Sequence, residues 1–325
     1  MVLHVDDFAY LQQYGREGAR GNQKLRMGAF GHGPNLAGDL SYPGETGLLD
    51  TLDEELRWFD FWLKEEENGV TDEPPVHYYQ MASARRGAAS HQNKLKIAQT
   101  WPPNGSRRMH LYLGFNGKLA PAPSGHGDTA SHFIADPGNP VPTLGGANLM
   151  LPIGPEDQRT ARGRPDVLRF ETPALERNIV VTGEVFADLH VSTDAPDTDF
   201  AVKLVDVYPD GYEALILDSI LRARYRNGRR VTDIAPMPNR KIQQISIPLG
   251  QTANVFEAGH RIALHVSSSN YPRFDVNPNT GASPSAQDPK MRIANNAVHH
   301  DARNASALVL TVIDAPDTGA SDSPR

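Results

Sequence analysis

Residues 178–192 read NIVVTGEVFADLHVS, and how this run is read decides the fold. Val181, Val185, Leu189 and Val191 fall on one parity, and Thr182, Glu184, Asp188 and His190 fall on the other. A period of two is that of an antiparallel strand with one face in a core. Runs of the same kind recur on both sides: RRMHLYLG (107–114), DVLRFET (166–172), DFAVKLVDV (199–207), EALILDSILRARYR (213–226), KIQQISIPL (241–249), RIALHVSSS (261–269) and SALVLTVI (306–313). Pro, Gly, Asn and Asp punctuate them, and long helical periodicity is scarce. The pattern predicts a mainly β fold over residues 76–315, a jelly-roll (galactose-binding-like) β-sandwich. Residues 120–163 hold few strand signals and much Pro and Gly, and read as a long surface excursion. Residues 316–325 read as a small, polar, disordered tail.

Upstream the pattern changes. MVLHV (1–5) reads as a short strand, DDFAYLQQYGREGAR (6–20) as a helix and KLRMGAF (24–30) as a second strand. In Thr46–Glu67 the apolar residues Leu48, Leu49, Leu52, Leu56, Phe59, Trp62 and Leu63 share one helical face, and Gly69 follows as a stop signal. The aromatic cluster Trp58, Phe59, Phe61 and Trp62 reads as packing surface. Residues 1–68 are therefore expected to be α/β in character, joined to the sandwich by a Pro-containing linker at 69–75.

The chain of 325 residues has 22% charged and 39% apolar residues and a net charge of −7. That balance does not suit nucleic-acid binding, which calls for a basic field. No run of 18 apolar residues suggests a membrane span. The first residues lack the basic start of a signal peptide. With no cysteine, thiolate chemistry and disulfides are excluded, and a cytoplasmic location is expected.

The chemistry points to two residues. His32 follows the strand KLRMGAF, and Asp7 follows the run MVLHV. Side chains at the carboxyl ends of parallel strands meet in the crevice where α/β proteins bind ligands. An Asp accepting from a His ring N–H fixes the tautomer of a catalytic base, and Asp before His is the order used late in α/β hydrolases.

Several segments together, VLHVDDFAYLQQY, RMGAFGHGPNLAGDLSYPG, LRWFDFWLK, NGVTDEPPV and WPP, resemble the closing part of the catalytic domain of the cocaine-esterase/X-Pro dipeptidyl-peptidase (CocE/NonD) serine hydrolases. DPGNPVPTLGG, RPDVLRFETPAL, DTDFAVKLVDVYPDGY and SSSNYPRFDVNPNTG resemble the C-terminal jelly-roll domain of that family. The resemblance implies Asp7 as triad acid, with Asp6 as the alternative, and His32 as triad base. It implies small acyl ester, amide or X-Pro dipeptidyl substrates and no cofactor.

The family's serine lies on a Gly-x-Ser-x-Gly elbow upstream of the acid, and this sequence contains no such motif. Ser90, Ser106, Ser124 and Ser283 sit in no strand–elbow–helix context. A base without a nucleophile performs no acyl transfer. The expectation is a C-terminal portion of a longer hydrolase, inactive alone, working as a homo-oligomer or with a complementing chain. The alternative is a non-catalytic accessory or carbohydrate-binding protein. The triplet His299-His300-Asp301 reads as a loop edge, the histidines His126 and His132 that flank Asp128 have no further ligand to support metal-type spacing, and Asp194, Asp197 and Asp199 read as a turn, so no metal site is expected. SSSNYPRFDVNPNTG (267–281) is expected to approach the pocket, and RARYRNGRR (222–230) to border a surface strand.

Overall fold

The computed structural model describes residues 2–31, 38–43, 49–85, 88–124, 129–149, 151–282 and 290–314. Helix α1 spans Val2–Tyr14, strand β1 Leu25–Met27 and helix α2 Leu49–Lys64. There follow β2 (Val76–Gln80), β3 (Ala84–Arg85), β4 (Ala88–Ala89), β5 (Lys94–Ala98), β6 (Arg107–Gly114), β7 (Lys118–Ala120) and β8 (Ala130–Ala135). After the short helix α3 (Arg159–Arg162) come β9 (Leu168–Glu171), β10 (Ile179–Thr193), β11 (Asp199–Val207), β12 (Glu213–Arg222), β13 (Gln243–Phe256), β14 (Arg261–Ser267), β15 (Ala294–His299) and β16 (Ala307–Ile313). Among the described residues no helix is long and apolar enough to cross a membrane.

The large sheet runs β12-β11-β14-β9-β7-β6-β16-β10-β15-β8, with β13 on β10. Its strands turn one face each into a single core that contains Phe170, Phe200, Phe256, Leu204, Ile262 and Leu264, all essentially buried. The long strand β10 binds these layers. It pairs with β13 from Ile179 to Val191, with β16 from Val180 to Asp188 and with β15 from His190 to Thr193. The alternation read in residues 178–192 is seen from Gly183 to Ser192, with Val185, Leu189 and Val191 buried, whereas Val180 to Gly183 are all buried.

The expected strands are present, with three differences. The β13 run continues past Leu249 to Phe256 because Pro248-Leu249-Gly250 forms a bulge opposite Val185 and Phe186, a use of glycine that reads locally as a stop. The 120–163 excursion carries strand β8, paired to β15, and its Gln158 is fully buried, with Nε2 donating to the Leu144 and Glu156 carbonyls. It packs on the sheet as a cover. The arginines of 222–230 are not all on a surface strand either. Arg222 and Arg224 pair with buried Asp199 and Asp197 at 2.9 and 2.7 Å.

The N-terminal segment departs further from expectation. Residues 2–5 are not a strand, because α1 already runs from Val2. Val5 and Phe8, one helical turn apart, are buried against Leu25, Val76, Tyr78 and Trp101, and that three-residue spacing rewards a helix. β1 pairs in parallel with β2, and β2 pairs antiparallel with β5, so a three-stranded sheet bridges the expected linker. The turn at 69–75 is tied down by the Lys24 ammonium donating to the Glu73 carbonyl and by the Arg57–Glu73 ion pair.

α2 forms where expected, yet its apolar face is not packed. Leu52, Leu56, Phe59 and Leu63 are 51–76% exposed, while the inner side carries Glu54, Arg57, Trp58 and Phe61. A helix face is buried only when something covers it, and no described residue does so here.

Leu264→Ala, in the middle of the core, is expected to cost about 2–5 kcal/mol. Urea unfolding followed by far-ultraviolet circular dichroism reads this as a lower midpoint, and an unchanged midpoint contradicts the assigned core.

Candidate functional site

Strand β1 ends at Met27, and the next four residues, Gly28–Gly31, form one wall of a cavity of about 390 Å³. The other walls come from the sandwich: Asn148, Asp218, Gln251, Thr252 and Arg273. This cleft lies where a parallel strand delivers its carboxyl end, the place at which α/β folds bind ligands. His32 is the next residue after that wall and lies outside the described residues, as do His126, Asp128 and Ser283.

Asp6 and Asp7 are both exposed on α1, one residue from the buried Val5 and Phe8, and neither lines the cleft. The strand end expected to carry Asp7 is therefore a helix, and the expected pairing of Asp7 with His32 involves a residue outside the described ones. Segment 267–281 does reach the cleft, through Arg273, as the sequence led one to expect.

The cleft's polar wall is built from a buried ion pair. The Asp218 carboxylate accepts from Asn270 Nδ2 at 2.8 Å and pairs with the Arg273 guanidinium. Arg273 is anchored in turn by its backbone N–H, which donates to Thr143 Oγ1 at 3.1 Å, and its guanidinium lies over the Phe274 ring. The backbone at Gly146 passes so close that a Cβ there would sit 2.8 Å from Arg273 Nη1 and 2.9 Å from Asp218 Oδ1. Its φ of +99° also suits glycine alone, so this position closes the wall without displacing the pair.

Asp218 ends a row of polar side chains crossing four strands. Lys203 on β11 stands opposite Asp218 on β12, His265 on β14 opposite Lys203, and Arg169 on β9 opposite His265. All four are buried or nearly so. Burial pulls the Lys203 ammonium down to about 8, against the attraction of Asp218, and its Nζ donates to Gln158 at 3.0 Å. Burial, joined by the charges of Arg169, Lys203 and Arg162, pushes His265 down to about 3. Glu213 is fully buried between Arg169 at 3.1 Å and Arg162 at 3.5 Å; burial raises its pKa and the two arginines oppose that rise. Sequence reading passed over this row. The signal was present, because Lys203, Asp218 and His265 are titratable residues set among apolar neighbours in the middle of their strands.

The remaining sequence candidates have structural partners. Asp197 and Asp199 accept from Asn277 Nδ2 at 2.9 and 2.7 Å besides their arginines, in keeping with a turn. His299 meets Ser192 Oγ at 2.9 Å, and His300 meets Thr129 and Ser131. Ser90 Oγ donates to Glu257, and Ser106 Oγ to the Pro103 carbonyl. Among the described residues no cluster of three or more His, Asp or Glu side chains is arranged to hold a metal ion.

Residues 68–309 match the family model described as the X-Pro dipeptidyl-peptidase C-terminal non-catalytic domain. A cocaine esterase from Rhodococcus sp. (strain MB1 Bresler) is 35% identical over 268 residues, which is 79% of this chain and 45% of that protein. The crystal structure of an aminopeptidase from the marine sediment archaeon Thaumarchaeota archaeon superposes with a TM-score of 0.81 at 27% identity, covering 94% of this chain and 52% of that one. An α-amino acid ester hydrolase gives 0.73 at 27% identity over 89% of this chain and 50% of that one. The chain thus spans about half the length of the relatives it matches.

The buried row has a consequence for acid stability. Folded, His265 stays neutral down to about 3, whereas the unfolded side chain binds a proton near 6.5. Between those values the unfolded state holds the extra proton, so stability present above about 6.5 is lost as pH falls toward 3. Urea midpoints of the parent chain are expected to fall more steeply on acidification than those of His265→Gln. Parallel curves would contradict this.

Proposed function

Because the chain belongs to the cocaine-esterase/X-Pro dipeptidyl-peptidase (CocE/NonD) family of hydrolases, as a match to its C-terminal non-catalytic domain, we propose that it is the C-terminal portion of a serine hydrolase acting on acyl ester, amide or X-Pro dipeptidyl bonds. In this reading residues 1–68 are the end of the catalytic α/β domain, 69–75 the linker and 76–315 the jelly-roll domain that walls the active site. The observation that carries it is the unfinished N-terminal unit. β1 pairs with β2 alone among the described residues, its carboxyl end opens on the cleft, and Tyr10, Leu11 and Tyr14 on α1 are exposed, as is the apolar face of α2. A catalytic α/β domain supplies further strands and a cover for such faces.

The residues take roles by the chemistry of the triad. A serine from outside this sequence attacks the acyl carbonyl, and His32 takes its proton as general base. The acid, Asp7 or its neighbour Asp6, orients the imidazole and stabilises the imidazolium. His32 then returns the proton to the leaving group, and water repeats the relay to release the acyl group. The Arg273–Asp218 pair contributes a fixed, polar wall on the sandwich side. The partner is either a preceding part of the same polypeptide or a complementing chain, and the compartment proposed is the cytoplasm.

Two experiments test the proposal. The chain alone is expected to hydrolyse p-nitrophenyl acetate no faster than its His32→Ala variant. Joined to, or mixed with, an upstream segment bearing the Gly-x-Ser-x-Gly elbow, it gains a rate that His32→Ala abolishes. The acid is whichever of Asp7→Asn and Asp6→Asn lowers that rate about 10⁴-fold, the cost of losing the orienting carboxylate in a triad. A His32-dependent rate in the chain alone overturns the reading. Limited proteolysis is expected to trim residues 1–68 before 76–315, and equal resistance of both contradicts that division.

A further inference from the structure

A second cavity, of about 1000 Å³, lies between the small sheet and the sandwich and shares no lining residue with the cleft. Its floor is apolar, built from Tyr78, Met109, Ile179, Val180, Val312 and Ile313. Lys94 and Lys96 of β5 and Arg107 and Arg177 of the sandwich line it as well. Among the described lining residues there is one carboxylate, Asp314, already engaged by Arg107 at 2.9 Å. Four cations against one acid leave a surplus of three positive charges, in a chain whose net charge is −7.

That surplus is uncompensated in a specific way. Most arginines of the sandwich sit on carboxylates, as Arg169, Arg222, Arg224 and Arg273 do. Lys94, Lys96 and Arg177 form no ion pair among the described residues. Lys94 and Lys96 are two residues apart on one strand, so they project from the same face and repel each other. The Lys96 ammonium is held below its ordinary pKa by burial first and by Lys94 second. Keeping like charges together over an apolar floor costs stability, and a carboxylate placed between them removes that cost.

From this geometry we propose that the groove is a docking site for an extended acidic peptide segment of a partner protein, one in which acidic and apolar residues alternate. The floor selects the apolar set by burial and the cations select the acidic set. A strand has the period of two that presents them to opposite sides. A uniformly charged polyanion leaves the floor unused, so the apolar floor distinguishes the peptide from such a ligand. The inference is independent of the proposed hydrolase activity, since it concerns a different face.

The test is fluorescence anisotropy on the full chain with a labelled peptide in which glutamate alternates with leucine. Saturable binding that weakens with added salt is expected. The double variant Lys94→Glu/Lys96→Glu, and separately Arg177→Glu, should weaken it by about tenfold or more, the scale of a lost charge contact. All three side chains are exposed or half-exposed, so circular dichroism is expected to show an unchanged fold. Arg229→Glu, an exposed arginine outside the groove, should leave the affinity as it was. The proposal is overturned if the charge reversals leave binding unchanged, if a glutamine–leucine peptide binds as tightly, or if tripolyphosphate does.

Discussion

The parallel pairing of Leu25–Met27 with Val76–Tyr78 is the contact on which the functional geometry depends. It is three residues long, yet it welds the N-terminal segment to the sandwich. On one side of it Val5 and Phe8 pack on Tyr78, Trp101 and Ala253. β2 is itself fastened to β13, where the Met81 N–H donates to the Ala253 carbonyl and the Val255 N–H to the Met81 carbonyl, both at 2.8 Å. The residues that follow β1, Gly28–Gly31, are thereby held in one cavity wall with Asp218 and Arg273 in the others. Loosening β1 from β2 would open the cleft and release α1 together.

The sandwich was legible in the sequence because its strands bury one face each, and a period of two survives without knowledge of the partners. β10 is the clear case: its Val and Leu positions were enough to set its orientation. The misreadings arose where the local pattern was short. Five residues, MVLHV, cannot separate strand from helix, and the deciding fact is the tertiary one that Val5 and Phe8 share a single pocket. α2 was located correctly from its periodicity, but periodicity identifies an apolar face and not whether anything lies against it. The resemblance to a known family pointed to the cleft through His32. It said nothing of the polar row behind it, which no local rule detects until the registers of β9, β14, β11 and β12 are aligned.

That row bears on how the cleft is kept in shape. Burying Lys203, His265, Glu213 and Arg169 is costly unless each is neutral or paired. The structure meets this in two ways. Glu213 sits between two arginines and Lys203 faces Asp218 and Gln158, while His265 stays uncharged. Side chains so constrained have few alternative positions, and Asp218 at the end of the row holds Arg273 on the cleft wall. Replacing buried charges by apolar residues of equal volume is often neutral or stabilising, because their desolvation cost vanishes. Its consequence is positional: it fixes where the guanidinium points.

The exposed face of α2 carries the same reasoning to the whole chain. Leu52, Leu56, Phe59 and Leu63 are each at least half exposed, and Trp62 nearly so. Burying a fully exposed side chain of this kind is worth about 1.5–3 kcal/mol, so a partner covering the 39–76% of each of these five that is exposed contributes about 4–8 kcal/mol before the entropy of association is subtracted. That is comparable to the net stability of an entire domain. A helix whose covered state differs from its bare state by that much is governed by its cover. The sandwich, with Phe170, Phe200 and Phe256 sealed in its own core, carries no such dependence. The sandwich core is thus stabilised from within, whereas the exposed face of α2 is stabilised by whatever packs against it.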